Sequence, residues 1–171
     1  MIGTADVHKA IMACWNASDL DSLFKALWSA EEDPDSTPVL HDQNAGPKPI
    51  FPYCVYELGM ARVLKRQSSL GLNNLGNVVK RHYTSYPLTL NIHVDKVFGD
   101  SRSQKEVCAD LLEQVAAVFG GHPSIGSSLT ELDHGQFIGY WYEASHMVRT
   151  ELYKYQGILK YSVYVDVPVA V

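Results

Sequence analysis

Residues 88–94 read LTLNIHV, and apolar side chains alternate there with polar ones. Residues 157–167 read GILKYSVYVDV and show the same alternation over a longer run. Successive side chains of a strand point to opposite faces, so a period of two predicts strands that are buried on one side only. These two segments therefore indicate a sheet with one face against a core and the other face open.

Two further segments are rich in strand-forming residues. Residues 50–58 are aromatic and β-branched, and residues 136–149 contain a cluster of tyrosine, tryptophan and branched aliphatic side chains. Pro52 lacks a backbone N–H, so it is expected at the start or the edge of its strand. Residues 150–156 are expected to join the last two strands, and Gly157 is expected to supply a bulge.

Three segments carry apolar side chains at helical spacing, namely residues 4–16, 18–33 and 103–120. In a capping box, a serine side chain and an acidic side chain three residues later each bond the other's backbone N–H. This motif is predicted at Ser18–Asp21 and again at Ser103–Glu106. Both pairs mark expected helix starts.

The element order is helix, helix, strand, loop, strand, helix, strand, strand. It predicts an α+β fold, with a mainly antiparallel sheet of about four strands and helices packed on one face. The 171 residues, 46% of them apolar, suit a single domain spanning residues 1–171. Two stretches are expected to be irregular: the proline-rich residues 31–49, and residues 60–82 with their glycines and asparagines.

Composition excludes several classes of protein. A net charge of −5 argues against a general nucleic-acid binder, because proteins that contact phosphates usually carry a basic excess. Cys14, Cys54 and Cys108 are far apart and form no CxxC pair, so buried thiols in a reducing compartment are expected. No signal peptide and no apolar run of membrane-spanning length is visible, which predicts a protein made inside a cell.

Motifs that carry chemistry are missing from the sequence. The seven histidines form no HxH, HxxxH or HExxH pair, and no GxSxG, P-loop or GxGxxG motif occurs. The acidic run at residues 31–35 lies in a predicted loop, whereas catalytic carboxylates normally come from separate rigid elements. The sequence therefore predicts a protein that is not an enzyme and has neither a metal nor a cofactor.

Charge is distributed unevenly along the chain. Residues 19–57 contain eight acids and two bases, a net charge of −6, whereas residues 60–82 contain five bases and no acid. The basic segment comprises Arg62, Lys65, Arg66, Lys80 and Arg81. The acidic segment comprises Glu31, Glu32, Asp33, Asp35 and Asp42.

Three interpretations of this charge split stay open. The charges are simply solvated, or a mobile basic loop faces nucleic acid without reading its sequence. Alternatively, the two segments dock head to tail between copies, as a closed ring requires.

Two interpretations also stay open for the aromatic residues near the C-terminus: they form a binding surface, or they form ordinary core pairs. One face of a two-layer domain cannot bury them all. They are Tyr140, Trp141, Tyr142, Tyr153, Tyr155, Tyr161 and Tyr164.

The overall layout resembles a known family. The relevant features are the opening helices with Leu20-x-x-Leu23-Phe24, the strands at 52–59 and 86–94, the helix after Ser101-Arg102-Ser103-Gln104, and the closing strand at 157–165. In this order they resemble the tail terminator, or tail-completion, proteins of long-tailed bacteriophages. The resemblance covers nearly the whole chain and lies in layout more than in a strict motif.

This resemblance implies a hexameric ring that sits on the finished tail tube at the head-proximal end of the virion tail. Such a ring stops tube polymerisation, binds the tail tube protein and the head–tail connector or neck protein, and lets DNA pass through its lumen without sequence recognition. During assembly it would be in the host cytoplasm, away from membranes. Related head–tail joining proteins have similar size and are an alternative.

A second class of function is a small-molecule-binding or enzymatic α+β domain with an aromatic-lined pocket. His93, His146 and Glu143 are the residues that such a site would use. This function requires a concave site in which ionisable groups converge and have strongly perturbed pKa values.

Overall fold

The structure is a computed structural model that describes residues 4–32, 37–46, 48–63, 69–72, 78–120, 131–132 and 135–170. The helices in this part of the chain are α1 (Thr4–Asn16), α2 (Leu20–Lys25) and α3 (Gln104–Phe119). The strands there are β1 (Leu40–Asp42), β2 (Tyr53–Leu58), β3 (Arg62–Val63), β4 (Ser69–Leu72), β5 (Val78–Val94), β6 (Glu131–Leu132), β7 (Gly135–Glu151) and β8 (Lys154–Ala170).

β5 is the central strand of the sheet. It pairs antiparallel with β8 from Val79 to Val94. On its other side it pairs antiparallel with β4, β3 and β2 in turn. Beyond β2 lies β1, which is parallel to it, and beyond β8 lies β7, followed by the short β6. The predicted α+β class with a mainly antiparallel sheet is confirmed, and the four predicted strands correspond to β2, β5, β7 and β8.

The helices pack on one face of this sheet. The side chains of β5 on that face are fully or almost fully buried, and they are Tyr86, Leu88, Leu90, Ile92 and Val94. The predicted apolar stripe of α3 meets them through Val107, Leu111, Val115 and Phe119. α1 contributes Val7, Ile11 and Trp15 to the same core. Burial of these side chains is the main stabilising term of the fold.

The other face of the sheet, which we call the open face, carries a row of polar side chains. Asn91 of β5 donates from Nδ2 to Glu57 Oε1 at 3.2 Å, and Gln156 donates from Nε2 to Asn91 Oδ1 at 3.1 Å. The row therefore ties β2, β5 and β8 together. Because Asn91 is only 7% exposed, these two bonds satisfy an amide that would otherwise be costly to bury.

The two predicted capping boxes have different outcomes. Ser103 Oγ accepts from the Glu106 backbone N–H and the Glu106 carboxylate accepts from the Ser103 N–H, so this box is confirmed. The box at Ser18–Asp21 is wrong. Asp21 Oδ1 instead accepts from the indole Nε1 of Trp15 at 3.1 Å, and Ser18 Oγ donates to the Trp15 carbonyl at 2.6 Å. α2 is also shorter than the predicted 18–33.

The two stretches predicted as irregular contain strands. Residues 31–49 include β1, which pairs with β2. Residues 60–82 include β3, β4 and the start of β5, so the prediction of a mobile basic loop is wrong for these strands. The start of β5 forms a strand because it pairs with the last residues of β8, which are far away in the sequence. Local sequence patterns do not reveal such a pairing.

The predicted connection at 150–156 is also wrong, because β7 and β8 are joined by a tight turn at Leu152 and Tyr153. Register shifts in this hairpin lie within β7 and not at Gly157. Gly157 has a different role, since a Cβ atom there would lie 2.5 Å from Leu112 Cδ1 and 3.4 Å from Cys108 Sγ. Its missing side chain lets α3 approach β8 closely.

The three cysteines are buried and form no disulfide, as predicted. Burial raises the pKa of the Cys108 thiol to about 11 and raises the pKa of Cys54 further. Both thiols therefore stay protonated and unreactive at neutral pH.

Substitution of a β5 side chain on the helix-covered face is expected to be costly. Leu90 is 0% exposed, and Leu90→Ala should lower the free energy of unfolding by about 2–5 kcal/mol, measured by denaturant titration. The matched control is its neighbour Thr89→Ala on the open face, which should cost less than about 1 kcal/mol. Equal costs for the two variants would contradict the assignment of faces.

Candidate assembly surfaces

Three residues of the basic segment lie on the strands β3 and β5. Arg62 is exposed on β3 and pairs in register with Ser85. Lys80 and Arg81 occupy positions on β5 between β4 and β8. Lys65 and Arg66 lie outside the described residues. Three of the five predicted residues are therefore positioned by paired strands and not by a loop.

In the acidic segment, Asp42 lies on β1, which pairs with β2 on the side away from β5. Glu31 and Glu32 are exposed after α2, and Asp42 is exposed at the end of β1. Asp33 and Asp35 lie outside the described residues. Asp42 Oδ2 is 3.9 Å from His8 Nδ1, and burial together with the Asp42 charge raises the pKa of Tyr56.

The two segments sit at different levels along β5. Asp42 pairs with Tyr56, which pairs with Leu90, whereas Arg62 pairs with Ser85. Five residues of strand separate these levels, about 17 Å at about 3.4 Å per residue. Among the described residues, none of the salt bridges joins the acidic segment to the basic segment. Within one copy, Arg62 is therefore too far along the sheet from Asp42 to form a salt bridge with it.

The residues suggested for a small-molecule site are not brought together. His93 lies on β5, whereas Glu143 and His146 lie on β7, with β8 between the two strands. Two strand spacings, about 9.5 Å, therefore separate His93 from the others. Glu143 accepts a hydrogen bond from Ser162 Oγ, and His146 is exposed.

An open groove of about 480 Å³ lies elsewhere on the sheet. Its lining contains none of these three residues and consists of Gln43, Glu57, Leu58, Gly59, Pro87 and Thr89. The suggested site therefore has no geometric support from the described part of the chain.

A ring stack on the open face was not predicted from the sequence. Tyr53 stacks on His93 with centroids 4.8 Å apart and meets His41 edge-on at 5.7 Å. Burial lowers the pKa of His93 and of His41, and for His41 a hydrogen bond with the Pro38 backbone acts in the opposite direction. His41 Nε2 is buried without a hydrogen-bond partner in the described structure. Only the strand register, which juxtaposes Tyr53 and His93, reveals this group.

The C-terminal aromatic residues divide between the two faces. Tyr142 is half-buried on the helix-covered face and meets Tyr161 edge-on at 5.8 Å. Trp141 is 43% exposed on the open face, edge-on to Tyr164. At the hairpin turn, Leu152 and Tyr153 are 67% and 64% exposed. The core-pair interpretation therefore fits Tyr142 and Tyr161, whereas Trp141 and Tyr153 are exposed, as the binding-surface interpretation requires.

Within the described ranges, no group of three or more His, Cys, Asp or Glu side chains is arranged to hold a metal ion. Of the helices that the structure describes, none is long and apolar enough to span a membrane.

No family model and no curated protein sequence matches this chain. Among solved structures, the chain is similar to one from the virion of the native gene transfer agent (GTA) particle. The two are 14% identical, the TM-score is 0.41, and the alignment covers 75% of this chain and 78% of the other. A likeness of this degree carries no functional argument.

Acidification is expected to destabilise the fold through the ring stack. Both histidines have a lowered pKa in the folded chain, so the unfolded chain binds more protons as pH falls through about 6.5. Their contribution to stability is therefore complete above that pH and is lost below it. Thermal midpoints measured at pH 7.5 and pH 5 should differ less in a His41→Phe/His93→Phe variant, which keeps the rings but cannot titrate. An equal pH dependence in both proteins would contradict this assignment.

Proposed function

We propose that this chain is a structural subunit of a phage-type virion that assembles head to tail into a ring, in the manner of a tail terminator. The observation that carries the proposal is the placement of Asp42 and Arg62, two exposed charges of opposite sign, at different levels on the β2 side of β5. A head-to-tail contact needs two different, complementary surfaces on each copy, and a ring results when the rotation closes.

The rest of the chain is consistent with a structural role. The suggested catalytic or ligand-binding residues do not converge, and Arg62, Lys80, Arg81 and Asp42 are held on strands. The layout of helices and strands resembles the tail terminator family, whose rings contain six copies. On this proposal the ring caps the tail tube, stops its polymerisation and offers the opposite side to a connector or neck protein. DNA would pass through its lumen without base recognition.

Another head–tail joining protein would use the same kind of ring. Binding to preformed tail tubes separates the two functions, because a terminator attaches to the end of the tube and blocks addition of further tube subunits. A ring that binds only the connector would instead be a neck protein.

Charge reversal should abolish and then restore assembly. Arg62→Glu/Lys65→Glu/Arg66→Glu should prevent ring formation, because like charges would then meet between copies. A second chain carrying Glu31→Lys/Glu32→Lys/Asp42→Lys should also fail alone. Mixing the two chains should give mixed assemblies in which the chains alternate, because both contacts between unlike chains then join an acidic to a basic surface, measured by light scattering and native mass spectrometry.

The matched control reverses three exposed lysines outside both segments, namely Lys9, Lys96 and Lys105. This control should assemble like the unmodified chain. Normal assembly of the basic-segment variant, or a monomer for the unmodified chain even when tail tubes are present, would refute the proposal.

A further inference from the structure

Two neighbouring rows of side chains cross the open face from β2 to β7. One row consists of Glu57, Thr89, Lys160 and Ala144, which pair in register from strand to strand. Three strand spacings separate its ends, a distance of about 14 Å. The β2 end of this row lies in the open groove of about 480 Å³, because Glu57 and Thr89 both line that groove.

The second row connects the same groove to an exposed tryptophan. Pro87, another groove residue, pairs with Ser162, and Ser162 pairs with Trp141. Trp141 is 43% exposed, and the ring of Tyr164 lies edge-on to it with centroids 6.5 Å apart. Ser162 Oγ donates to the Glu143 carboxylate, which places that carboxylate on the same face. The two rows together, which we call the sheet band, join a groove to an aromatic surface.

The charges of the sheet band do not suit an anionic or an apolar ligand. Glu57 lies on one side of Lys160 and Glu143 on the other, so the band has no basic excess of the kind that contacts with phosphate groups require. An apolar partner would have to cover two exposed carboxylates, and burial of an unpaired carboxylate is costly. These side chains suit an uncharged ligand that is rich in hydrogen-bond donors.

We propose that the sheet band binds a neutral oligosaccharide laid across the strands. A pyranose ring has a face of C–H groups, which packs on an exposed indole, and a rim of hydroxyl groups, which donate to carboxylates and exchange hydrogen bonds with serine and threonine. Trp141 supplies the stacking surface, and Glu143 accepts from hydroxyl groups next to it. At the other end of the band, Glu57 and Thr89 hold a further sugar unit in the groove.

The geometry of the two carboxylates fits binding and not hydrolysis. Glycosidases hold two carboxyl groups about 5–9.5 Å apart, on either side of the bond that breaks. Glu57 lies on β2 and Glu143 on β7, and these strands are about 14 Å apart. Sugar binding at the sheet band goes beyond the proposed ring and does not depend on it, because the band contains neither Asp42 nor Arg62.

Tryptophan emission tests the binding directly. Of the three tryptophans, Trp15 and Trp28 are 1% and 6% exposed, so acrylamide quenching reports mainly on Trp141. The probes are maltohexaose, cellohexaose and chitohexaose, each added to the full chain. At least one of them should shield Trp141 from the quencher with a Kd of about 1 mM or tighter. Absence of shielding and of binding heat with all three, up to about 10 mM, overturns the proposal.

Substitutions locate the site. Trp141→Ala should weaken binding at least about tenfold in calorimetry because the stacking surface is lost, whereas Trp141→Phe should retain most of the affinity. The matched control is Tyr153→Ala, which removes an exposed aromatic ring at the hairpin turn outside the sheet band and should change the Kd little. Thermal midpoints show that each variant is folded. Unchanged binding by Trp141→Ala, or an equal loss in the control, overturns the proposal.

Anionic probes test the chemical class of the ligand. An oligonucleotide of six thymidines and a heparin hexasaccharide should show no binding at about 0.15 M salt, because Glu57 and Glu143 repel them. Tighter binding of either anion than of the neutral sugars would overturn the assignment. Asp42 and Arg62 are unchanged in every variant, so ring formation can be scored separately from sugar binding.

Discussion

The pairing of β5 with β8 is the interaction on which the rest of the structure depends. It runs from Val79 to Val94 without a register shift. Because β5 is held along this length, its other flank can accept three separate short strands in succession. The same pairing fixes which side chains of β8 face α3, and Gly157 is placed where that helix comes closest.

The surfaces follow from this arrangement. Strands added to one flank of β5 bring Asp42 and Arg62 onto the same side at different levels, while β8, β7 and the short β6 extend the sheet on the other flank. On the open face, Asn91 forms hydrogen bonds with Glu57 and Gln156, and the ring of Tyr53 stacks on that of His93.

Much of the fold could be predicted from local patterns. The alternation at 88–94 and 157–167 identified the core-facing sides of β5 and β8, and Ser103 with Glu106 identified the start of α3. The predictions that were wrong concern features that depend on contacts with residues elsewhere in the fold. The strand at Lys80 and Arg81 exists because β8 reaches it, and the capping box at Ser18 is lost because the Trp15 indole binds Asp21. The hairpin turn holds Tyr153 at a φ of 66°, where glycine or asparagine would be the usual signal.

The same limit applies to the candidate surfaces. The uneven charge of residues 19–82 is visible in the sequence, but a sequence does not show that Asp42 and Arg62 lie on the same side of β5. It also does not show that β7 and the short β6 follow β8 on the other side. Both facts are properties of strand order, which depends on long-range pairing.

Amide hydrogen exchange at increasing protein concentration tests self-assembly most directly. The account predicts that β5 amides at residues 88–93 exchange slowly at every concentration, since they are paired on both sides. Protection beside Asp42 and Arg62 should rise with concentration, because that side of the sheet becomes covered by other copies. Exchange at these regions that is independent of concentration, up to the highest soluble level and with tail tubes present, would contradict the account.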